Sequence, residues 1–391
     1  MPALRLLVLV AAAAVAAAFG TTRLRPTLSA TPQTALLDAP IELRVSGLRA
    51  DEAVRITVTA PSHLGKPWRT VLAARTGSHG ALVLRHEYLL ARLRPLRKAA
   101  ASDYLPWAET ATITARAGDW SGTTRVTRIL RPSSVSMADE RPQRRGFYAE
   151  WLVPRGARRR TAVLFLGGSE GGLPLVPAAY LLAAHGYPVL AVAYFRGPGL
   201  PQSLERIPLE YFRRALVWLR GRPEVDPGHI VTAGVSRGGE LSLILGSTYR
   251  RLVHGAVSLV GADVAVASPL DPDVPAWTEH GKPVLGPISV RAIAGPVFAV
   301  GGGADALWPS GPYAQDLARR RRGLDRRDEI LVYPHAGHAA GSAVPNVPEL
   351  STTIDSVYGT LDLGGSPAAD EAARQDLWPR LLRFLAGLRA R

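Results

Sequence analysis

The spacing of hydrophobic residues changes at about residue 140. Between residues 24 and 130, apolar and polar positions alternate with a period of two, as at Ile41, Leu43 and Val45. Short alternating runs separated by glycine and proline turns predict the strands of an all-β, immunoglobulin-like sandwich. The less regular segment 88–107 is predicted to be either helical or a long loop between strands.

After residue 145, strand-length apolar runs alternate with helix-length segments. Residues 162–166 form a continuous apolar run, which is typical of a parallel strand buried on both faces. Residues 208–219 carry Leu209, Phe212 and Leu216 at helical spacing. This repeated alternation predicts a doubly wound α/β fold with a mostly parallel sheet. Further strands are predicted at residues 147–153, 189–194, 230–235, 256–260, 296–300 and 330–333.

The two patterns define the predicted domain organisation. We predict a β-sandwich domain at residues 24–131, a linker at residues 132–145 and an α/β domain at residues 146–391, which carries the candidate catalytic residues described below. The linker prediction depends on a polar stretch in which serines, prolines and charged residues follow one another.

The first 20 residues have the features of a signal peptide. Arg5 is an isolated early charge, residues 6–19 are all apolar, and Ala16 and Ala18 form an A-x-A pattern just before Gly20. The apolar run is short for a transmembrane helix. We therefore expect an exported protein, secreted or held in the cell envelope, with no stable membrane span after cleavage. The alternative is an uncleaved N-terminal membrane anchor.

The amino-acid composition and charge exclude several kinds of site and partner. The chain has 391 residues and no cysteine, which excludes disulfides, thiolate zinc sites and a cysteine nucleophile. Its 47 Lys and Arg against 32 Asp and Glu give a net charge of +15, but the arginines are scattered and no nucleic-acid-binding motif accompanies them. We therefore expect no nucleic-acid partner. His335 and His338 lack a third ligand at suitable spacing, so we expect no metal and no other cofactor.

A candidate nucleophile follows the apolar strand 230–233. Residues 234–238 read G-x-S-x-G with Ser236 at the centre, and a helix-like run continues to residue 247. Strand, sharp turn and helix together are typical of a nucleophile elbow, in which glycines allow the strained turn that exposes the serine hydroxyl.

A serine nucleophile needs a base, and the base needs a carboxylate to orient it. In α/β-hydrolases these follow in the order serine, acid, histidine. His338 follows the predicted strand 330–333 and is the first candidate for the base, with His335 as the alternative. Asp305 follows the predicted strand 296–300 and is the first candidate for the acid, with Asp316 as the weaker one.

Stabilisation of the oxyanion requires two backbone N–H groups. One is expected from Arg237, directly after the nucleophile. The other is expected from the glycine-rich loop 167–172, at Gly168 or Ser169, because glycine allows the backbone to approach the substrate closely.

The motifs around these residues resemble those of the acyl-CoA thioesterase and bile acid-CoA:amino acid N-acyltransferase family. Residues 209–212 resemble the family's L-E-Y-F, and residues 234–240 resemble its G-x-[SC]-K-G-[AG]-[ED], with arginine in place of lysine. Residues 302–308 resemble G-x-D-D-x-x-W, and residues 333–338 resemble Y-P-x-x-G-H. The resemblance covers nearly the whole chain after the signal segment.

This resemblance implies an immunoglobulin-like domain followed by an α/β-hydrolase with Ser236, Asp305 and His338 as its triad. It implies hydrolysis of an acyl thioester, the small-molecule partner, through an acyl-enzyme. An exported carboxylesterase, or an acyltransferase in which an amine or alcohol replaces water, would use the same triad, and a catalytically silent binding protein is a third possibility. Residues 262–291 are expected to line the pocket mouth, and Arg237 is a candidate contact for CoA phosphates.

Overall fold

The computed structural model describes residues 25–61, 67–96, 108–140, 145–174, 176–356 and 358–388. The predicted signal segment lies outside these ranges. Within them, no helix has both the length and the apolar character needed to cross a bilayer.

The N-terminal region is built from two β-sheets. One has three strands in the order β1-β3-β6, and the other has six in the order β2-β9-β8-β4-β5-β7. Buried side chains from both sheets, such as Leu43 and Ile56, belong to one hydrophobic cluster. The strands are β1 (Thr27–Thr31), β2 (Thr34–Leu36), β3 (Ile41–Ser46), β4 (Ala53–Pro61), β5 (Pro67–Arg75), β6 (Leu82–Glu87), β7 (Arg94–Pro95), β8 (Ala108–Ala117) and β9 (Trp120–Ile129).

The alternating pattern identified β3, β4 and β8, because alternate side chains along these strands face the shared core. Ile41, Leu43 and Val45 are buried, whereas the residues between them are partly or fully exposed. Of segment 88–107, the described part holds the short 3-10 helix Leu89–Arg92 and strand β7. The remainder, from residue 97 onward, lies outside the described residues.

The rest of the chain contributes fifteen strands and five α-helices to the described structure. The strands are β10 (Val135–Glu140), β11 (Tyr148–Pro154), β12 (Arg160–Leu166), β13 (Val189–Ala193), β14 (Ile207–Pro208), β15 (Val225–Val235), β16 (Ala256–Leu259), β17 (Val264–Ala265), β18 (Trp277–Glu279), β19 (Lys282–Val284), β20 (Gly286–Pro287), β21 (Val297–Gly302), β22 (Glu329–Tyr333), β23 (Thr353–Ser356) and β24 (Gly359–Asp362). The helices are α1 (Pro177–Ala184), α2 (Leu209–Arg220), α3 (Arg237–Thr248), α4 (Ser310–Arg321) and α5 (Pro367–Ala386).

Eight of these strands form one sheet in the order β10-β11-β13-β12-β15-β16-β21-β22. Strand β11 pairs antiparallel with both of its neighbours, and every pairing from β13 to β22 is parallel. This is the strand order of an α/β-hydrolase, so the predicted fold class is confirmed. The sheet brings the carboxyl ends of β15, β21 and β22 to one edge, where doubly wound folds place their ligand sites.

Strand β10 lies within the stretch that was predicted to be a linker. Val135–Glu140 pairs with Tyr148–Pro154 along its full length and forms the edge of the eight-stranded sheet. Its polar sequence is compatible with a strand because an edge strand is exposed on one side, and charged residues there prevent pairing with other chains. The polar pattern therefore marked a sheet edge.

Buried hydrogen bonds join the N-terminal region to the α/β region. Asp38 Oδ2 accepts a bond of 2.6 Å from Trp378 Nε1 on α5 and lies 2.7 Å from His185 Nε2. Asn346 Nδ2 donates to the Leu37 carbonyl over 2.9 Å. Buried polar groups are costly unless paired, so these bonds fix the relative position of the two regions.

Candidate active site

Ser236 lies in a strained turn between β15 and α3. Its φ of 57° and ψ of −120° are unusual for a residue with a side chain. The flanking glycines allow this turn, because a Cβ on Gly234 would clash with the backbone of Gly238, and a Cβ on Gly238 would clash with the Gly167 carbonyl. The Ser236 N–H donates to the Leu259 carbonyl at 2.8 Å, which fixes the turn to the neighbouring strand. This geometry is that of a nucleophile elbow.

The structure brings His338 and Asp305 together. His338 Nδ1 lies 2.8 Å from Asp305 Oδ2, and the Asp305 side chain is fully buried. The Asp305 carboxylate also accepts hydrogen bonds from Ser310 Oγ, at 2.5 Å, and from the N–H groups of Leu307 and Trp308. A buried carboxylate with these partners holds the imidazole in one orientation with Nε2 free to act.

His338 shares a cavity with Ser236. The cavity has a volume of about 350 Å³ and is also lined by Ser169, Arg196, Tyr358 and Leu361. The alternative candidates for the base and the acid lie elsewhere. His335 is exposed, and Asp316 lies on α4 where it pairs with Arg319 and Arg320.

A second, larger cavity also contains His338. Its volume is about 730 Å³, and most of its lining is apolar. The charged groups on its wall are Glu170, Asp355 and a buried ion pair between Arg374 and Glu349, whose Nη1 and Oε2 atoms are 2.9 Å apart. The apolar lining residues include Phe165, Val176, Val235, Val344, Val347 and Leu350.

The glycine-rich loop differs from expectation in one respect. The Gly168 N–H donates a 2.9 Å hydrogen bond to Glu170 Oε1, so it is not free to bind an oxyanion in this structure. Ser169 lines the smaller cavity, and the Arg237 N–H is the first of helix α3, where amides have no partner within the helix. Tyr194 Oη donates to the carbonyls of Gly167 and Gly168, at 2.6 and 2.9 Å, and holds the loop in place.

Glu170 is a site residue that the sequence reasoning missed. It lines both cavities beside His338. Burial raises the pKa of the Glu170 carboxyl, while the N–H groups of Gly168 and Glu170 and the neighbouring His338 favour its ionised form. A single acidic residue within a run of glycines was the available signal.

Arg237 does not reach the cavity with its side chain, contrary to the expectation of a phosphate contact. Its guanidinium is buried 2.9 Å from Glu240 and donates to the carbonyls of Val266 and Ala267. It also lies over the ring of Trp277, 5.7 Å from the ring centroid. Burial raises the pKa of Glu240 to about 7 although Arg237 opposes that shift. The side chain of Arg237 is therefore a structural cation.

The mouth of the site is formed by a different segment from the one expected. Residues 262–291 line neither cavity that contains His338. The hairpin of β23 and β24 does so instead, through Ile354, Asp355 and Leu361, and the Tyr358 hydroxyl donates to the Ser169 carbonyl over 3.1 Å. An alternating pattern around Gly359 was the signal for this hairpin.

No group of three or more His, Asp or Glu residues suited to a metal ion occurs in the described ranges. The candidate site in these ranges therefore consists of a serine, a histidine paired with a carboxylate, and two adjoining cavities.

Comparison with known proteins relates this region to a family. Residues 207–273 and 279–388 match the model described as BAAT / Acyl-CoA thioester hydrolase C terminal. Mitochondrial acyl-coenzyme A thioesterase 2 of Rattus norvegicus is 31% identical over 248 residues, which cover 57% of this chain and 54% of the relative. Acyl-coenzyme A thioesterase 6 of Homo sapiens is 30% identical over 253 residues, covering 57% of this chain and 58% of the relative. The chain spans little more than half the length of these relatives.

Similarity to solved structures is more distant. A dienelactone hydrolase-like promiscuous phosphotriesterase from metagenomic libraries is 18% identical, with a TM-score of 0.41 over 65% of this chain and 98% of its own. The fold assignment rests on the strand order described above.

Proposed function

Residues 207–273 and 279–388 match the BAAT / Acyl-CoA thioester hydrolase C terminal model, and on this premise we propose that the protein is a serine hydrolase of acyl thioesters. The observation that carries the proposal is the 2.8 Å contact between His338 Nδ1 and Asp305 Oδ2, beside a cavity that Ser236 also lines. Ser236 is the nucleophile, His338 the general base and Asp305 the carboxylate that orients it.

The reaction has two halves. His338 Nε2 takes the proton of the Ser236 hydroxyl as Oγ attacks the acyl carbonyl, and the tetrahedral intermediate collapses when the imidazolium protonates the leaving sulfur or oxygen. In the second half, His338 removes a proton from water, which attacks the acyl-enzyme, and returns that proton to Ser236 Oγ. Asp305 stays ionised and stabilises the imidazolium in both halves.

The oxyanion is stabilised by the N–H groups of Arg237 and Ser169. The positive end of helix α3 adds to this effect, because Ser236 immediately precedes its first turn. The Gly168 N–H is committed to Glu170 and is assigned to shaping the loop.

Each of the two cavities suits a different part of the substrate. The larger, mostly apolar cavity suits an acyl chain, because burial of methylene groups is favourable by about 0.8 kcal/mol each. The smaller cavity, which contains Ser236 and the exposed Arg196, suits the leaving group. The names of the relatives, acyl-coenzyme A thioesterases, support a thioester as the bond cleaved.

A carboxylesterase is the second candidate, because the charges of the smaller cavity disfavour CoA, the leaving group of an acyl-CoA thioesterase. Arg196 is accompanied there by Glu170 and Asp355, and the Arg237 guanidinium is buried elsewhere. A strongly anionic leaving group such as CoA therefore meets one cation and two carboxyl groups. A neutral alcohol or a short thiol meets no such repulsion.

Substitution of the triad tests the proposal. Ser236→Ala and His338→Ala should each lower kcat by about a thousandfold or more, and the double variant should lose little more because the two residues act as a unit. A fluorophosphonate probe should label Ser236. Ser247→Ala and His335→Ala are the matched controls, since neither residue lines a cavity that contains His338. Labelling of another serine, or equal damage from His335→Ala in a folded protein, would refute the assignment.

The leaving group is decided by a matched substrate panel. An acyl-CoA, the N-acetylcysteamine thioester and the 2-acetamidoethyl ester of the same acid share the acyl chain. The first two differ in the charge of the leaving group, and the last two differ only in the sulfur or oxygen atom of the bond cleaved. A thioesterase should give a higher kcat/KM for the neutral thioester than for the ester. A carboxylesterase should show the reverse order.

A further inference from the structure

The loop that carries His338 is held from both sides by helix α5. The Gly337 N–H donates to Asp370 Oδ1 over 2.6 Å, and Arg374 Nη1 lies 3.4 Å from the Ala339 carbonyl. Asp370 and Arg374 are four residues apart, so they lie on the same face of the helix. Both are buried, and together they contact the residues immediately before and after His338.

Arg374 is the centre of a buried charge cluster. Its guanidinium lies 2.9 Å from Glu349 and 3.1 Å from Glu371, and Asp370 is one helical turn away. Burial raises the pKa of the Asp370 carboxyl, with the Gly337 N–H and Arg374 opposing that shift. Apolar residues often stabilise a core as well as a buried ion pair does. A role in orienting the His338 loop therefore explains this cluster better than a contribution to the stability of the fold does.

Asn346 extends this cluster to the N-terminal region. Its backbone N–H donates to Glu371 Oε1 over 2.9 Å. Its side chain makes two further bonds of 2.9 Å, donating to the Leu37 carbonyl and accepting from the Leu90 N–H. Asn346 is 2% exposed and has a φ of 69°, a conformation that asparagine tolerates. All three of its bonds are thus shielded from water.

We propose that Asn346, Glu371 and Arg374 are positioning residues, through which docking of the N-terminal region holds the His338 loop in its working orientation. The inference rests on the proposed role of His338 as the base. Among the described residues, those that line the two cavities all follow residue 164, so the N-terminal region acts on the site through this chain of contacts.

The test is Asn346→Gly in the full chain. Glycine accepts the positive φ and removes both side-chain bonds to the N-terminal region while keeping the backbone bond to Glu371. We expect kcat to fall about tenfold with KM within about twofold, because the base is displaced while the apolar residues that line the larger cavity stay in place. Hydrogen exchange of the Gly337 and His338 amides, which bond to Asp370 and the Leu363 carbonyl, should become faster.

Trp378→Phe is the matched control. It removes the hydrogen bond to Asp38, another contact between the two regions, and leaves the Asn346 contacts intact. It should lower the melting temperature without changing kcat or the exchange of the two loop amides. An equal loss of kcat in both variants would assign the effect to general loosening and overturn the proposal.

A second variant covers the case in which Asn346→Gly does not fold. Asn346→Asp has the same shape and replaces the donor to Leu37 by a carboxylate oxygen, so kcat should fall and exchange should rise. Unchanged kcat and exchange in either folded variant would overturn the inference. The triad variants keep this outcome separate from the proposed function: if Ser236→Ala and His338→Ala are inactive while Asn346→Gly is normal, only the present inference fails.

Discussion

At the scale of single residues, Arg237 has two separable roles. Its backbone N–H starts helix α3 next to Ser236, whereas its guanidinium neutralises the buried Glu240 on the same helix, with the two groups 2.9 Å apart. Substitution changes the side chain and leaves the backbone donor in place. Effects on stability and on substrate recognition can therefore be measured independently.

We expect Arg237→Ala to lower the free energy of unfolding by about 3–5 kcal/mol, because Glu240 is left buried without its cation. The ratio of KM for acyl-CoA to KM for the neutral thioester should not change. Denaturant titration and the two KM values provide the measurement. Arg237→Lys keeps the charge but loses the two-pronged geometry, so it should lie between the wild type and Arg237→Ala. A selective rise in KM for acyl-CoA in Arg237→Ala would instead support a contact between Arg237 and the CoA phosphates.

At the scale of elements, the hairpin of β23 and β24 covers the site. Tyr358, at its turn, is joined to the loop of Ser169 by one hydrogen bond of 3.1 Å. The His338 N–H donates to the Leu363 carbonyl, directly after the hairpin, over 2.7 Å. Movement of this element would therefore alter both the loop of Ser169 and the proposed base, His338.

Tyr358→Phe removes the bond between the hairpin and the loop while keeping the ring. We expect kcat/KM to fall by about three- to tenfold, since a hydrogen bond of this kind contributes about 0.5–1.5 kcal/mol. Steady-state kinetics on the neutral thioester provide the measurement. Tyr333→Phe, which loses a bond to Asp376 outside both cavities, should leave kcat/KM unchanged. If Tyr358→Phe and the wild type have equal kcat/KM, the working position of the hairpin does not depend on this hydrogen bond.

Elements whose burial follows a simple period could be predicted from the sequence. The parallel strands near Ser236, Asp305 and His338 were identifiable because both faces are apolar, and the turn around Ser236 because only glycine fits there. Edge strand β10 was missed because its polar residues also suit a linker. The position of the hairpin over the site and the Arg374 cluster depend on contacts between distant segments, which a linear pattern does not encode.

At the scale of the whole molecule, buried carboxyl groups make stability depend on pH. Burial raises the pKa of Glu109 to about 8 and that of Glu240 to about 7, against 4.5 for an unperturbed glutamate. Between about pH 4.5 and 8 the folded chain therefore binds more protons than the unfolded chain. Stability falls as the pH rises through this window.

Glu109→Gln should weaken this dependence, because the amide is neutral at every pH. We expect the free energy of unfolding of the wild type to decrease from pH 5 to pH 8, and the variant to decrease less. Denaturant titrations at the two pH values provide the measurement, with Asp273→Asn as an exposed control. If the free energy of unfolding of Glu109→Gln decreases between pH 5 and pH 8 as much as that of the wild type, Glu109 is not the source of the pH dependence.

The two cavities that meet at His338 have a kinetic consequence. In the proposed reaction, the thiol or alcohol occupies the smaller space and departs first, while the acyl group stays attached to Ser236 in the larger one. Water enters the space that the first product has vacated. The free acid is then the last to leave and competes with substrate for the empty enzyme. The first product instead combines with the acyl-enzyme and reverses its formation, so the two products inhibit in different patterns.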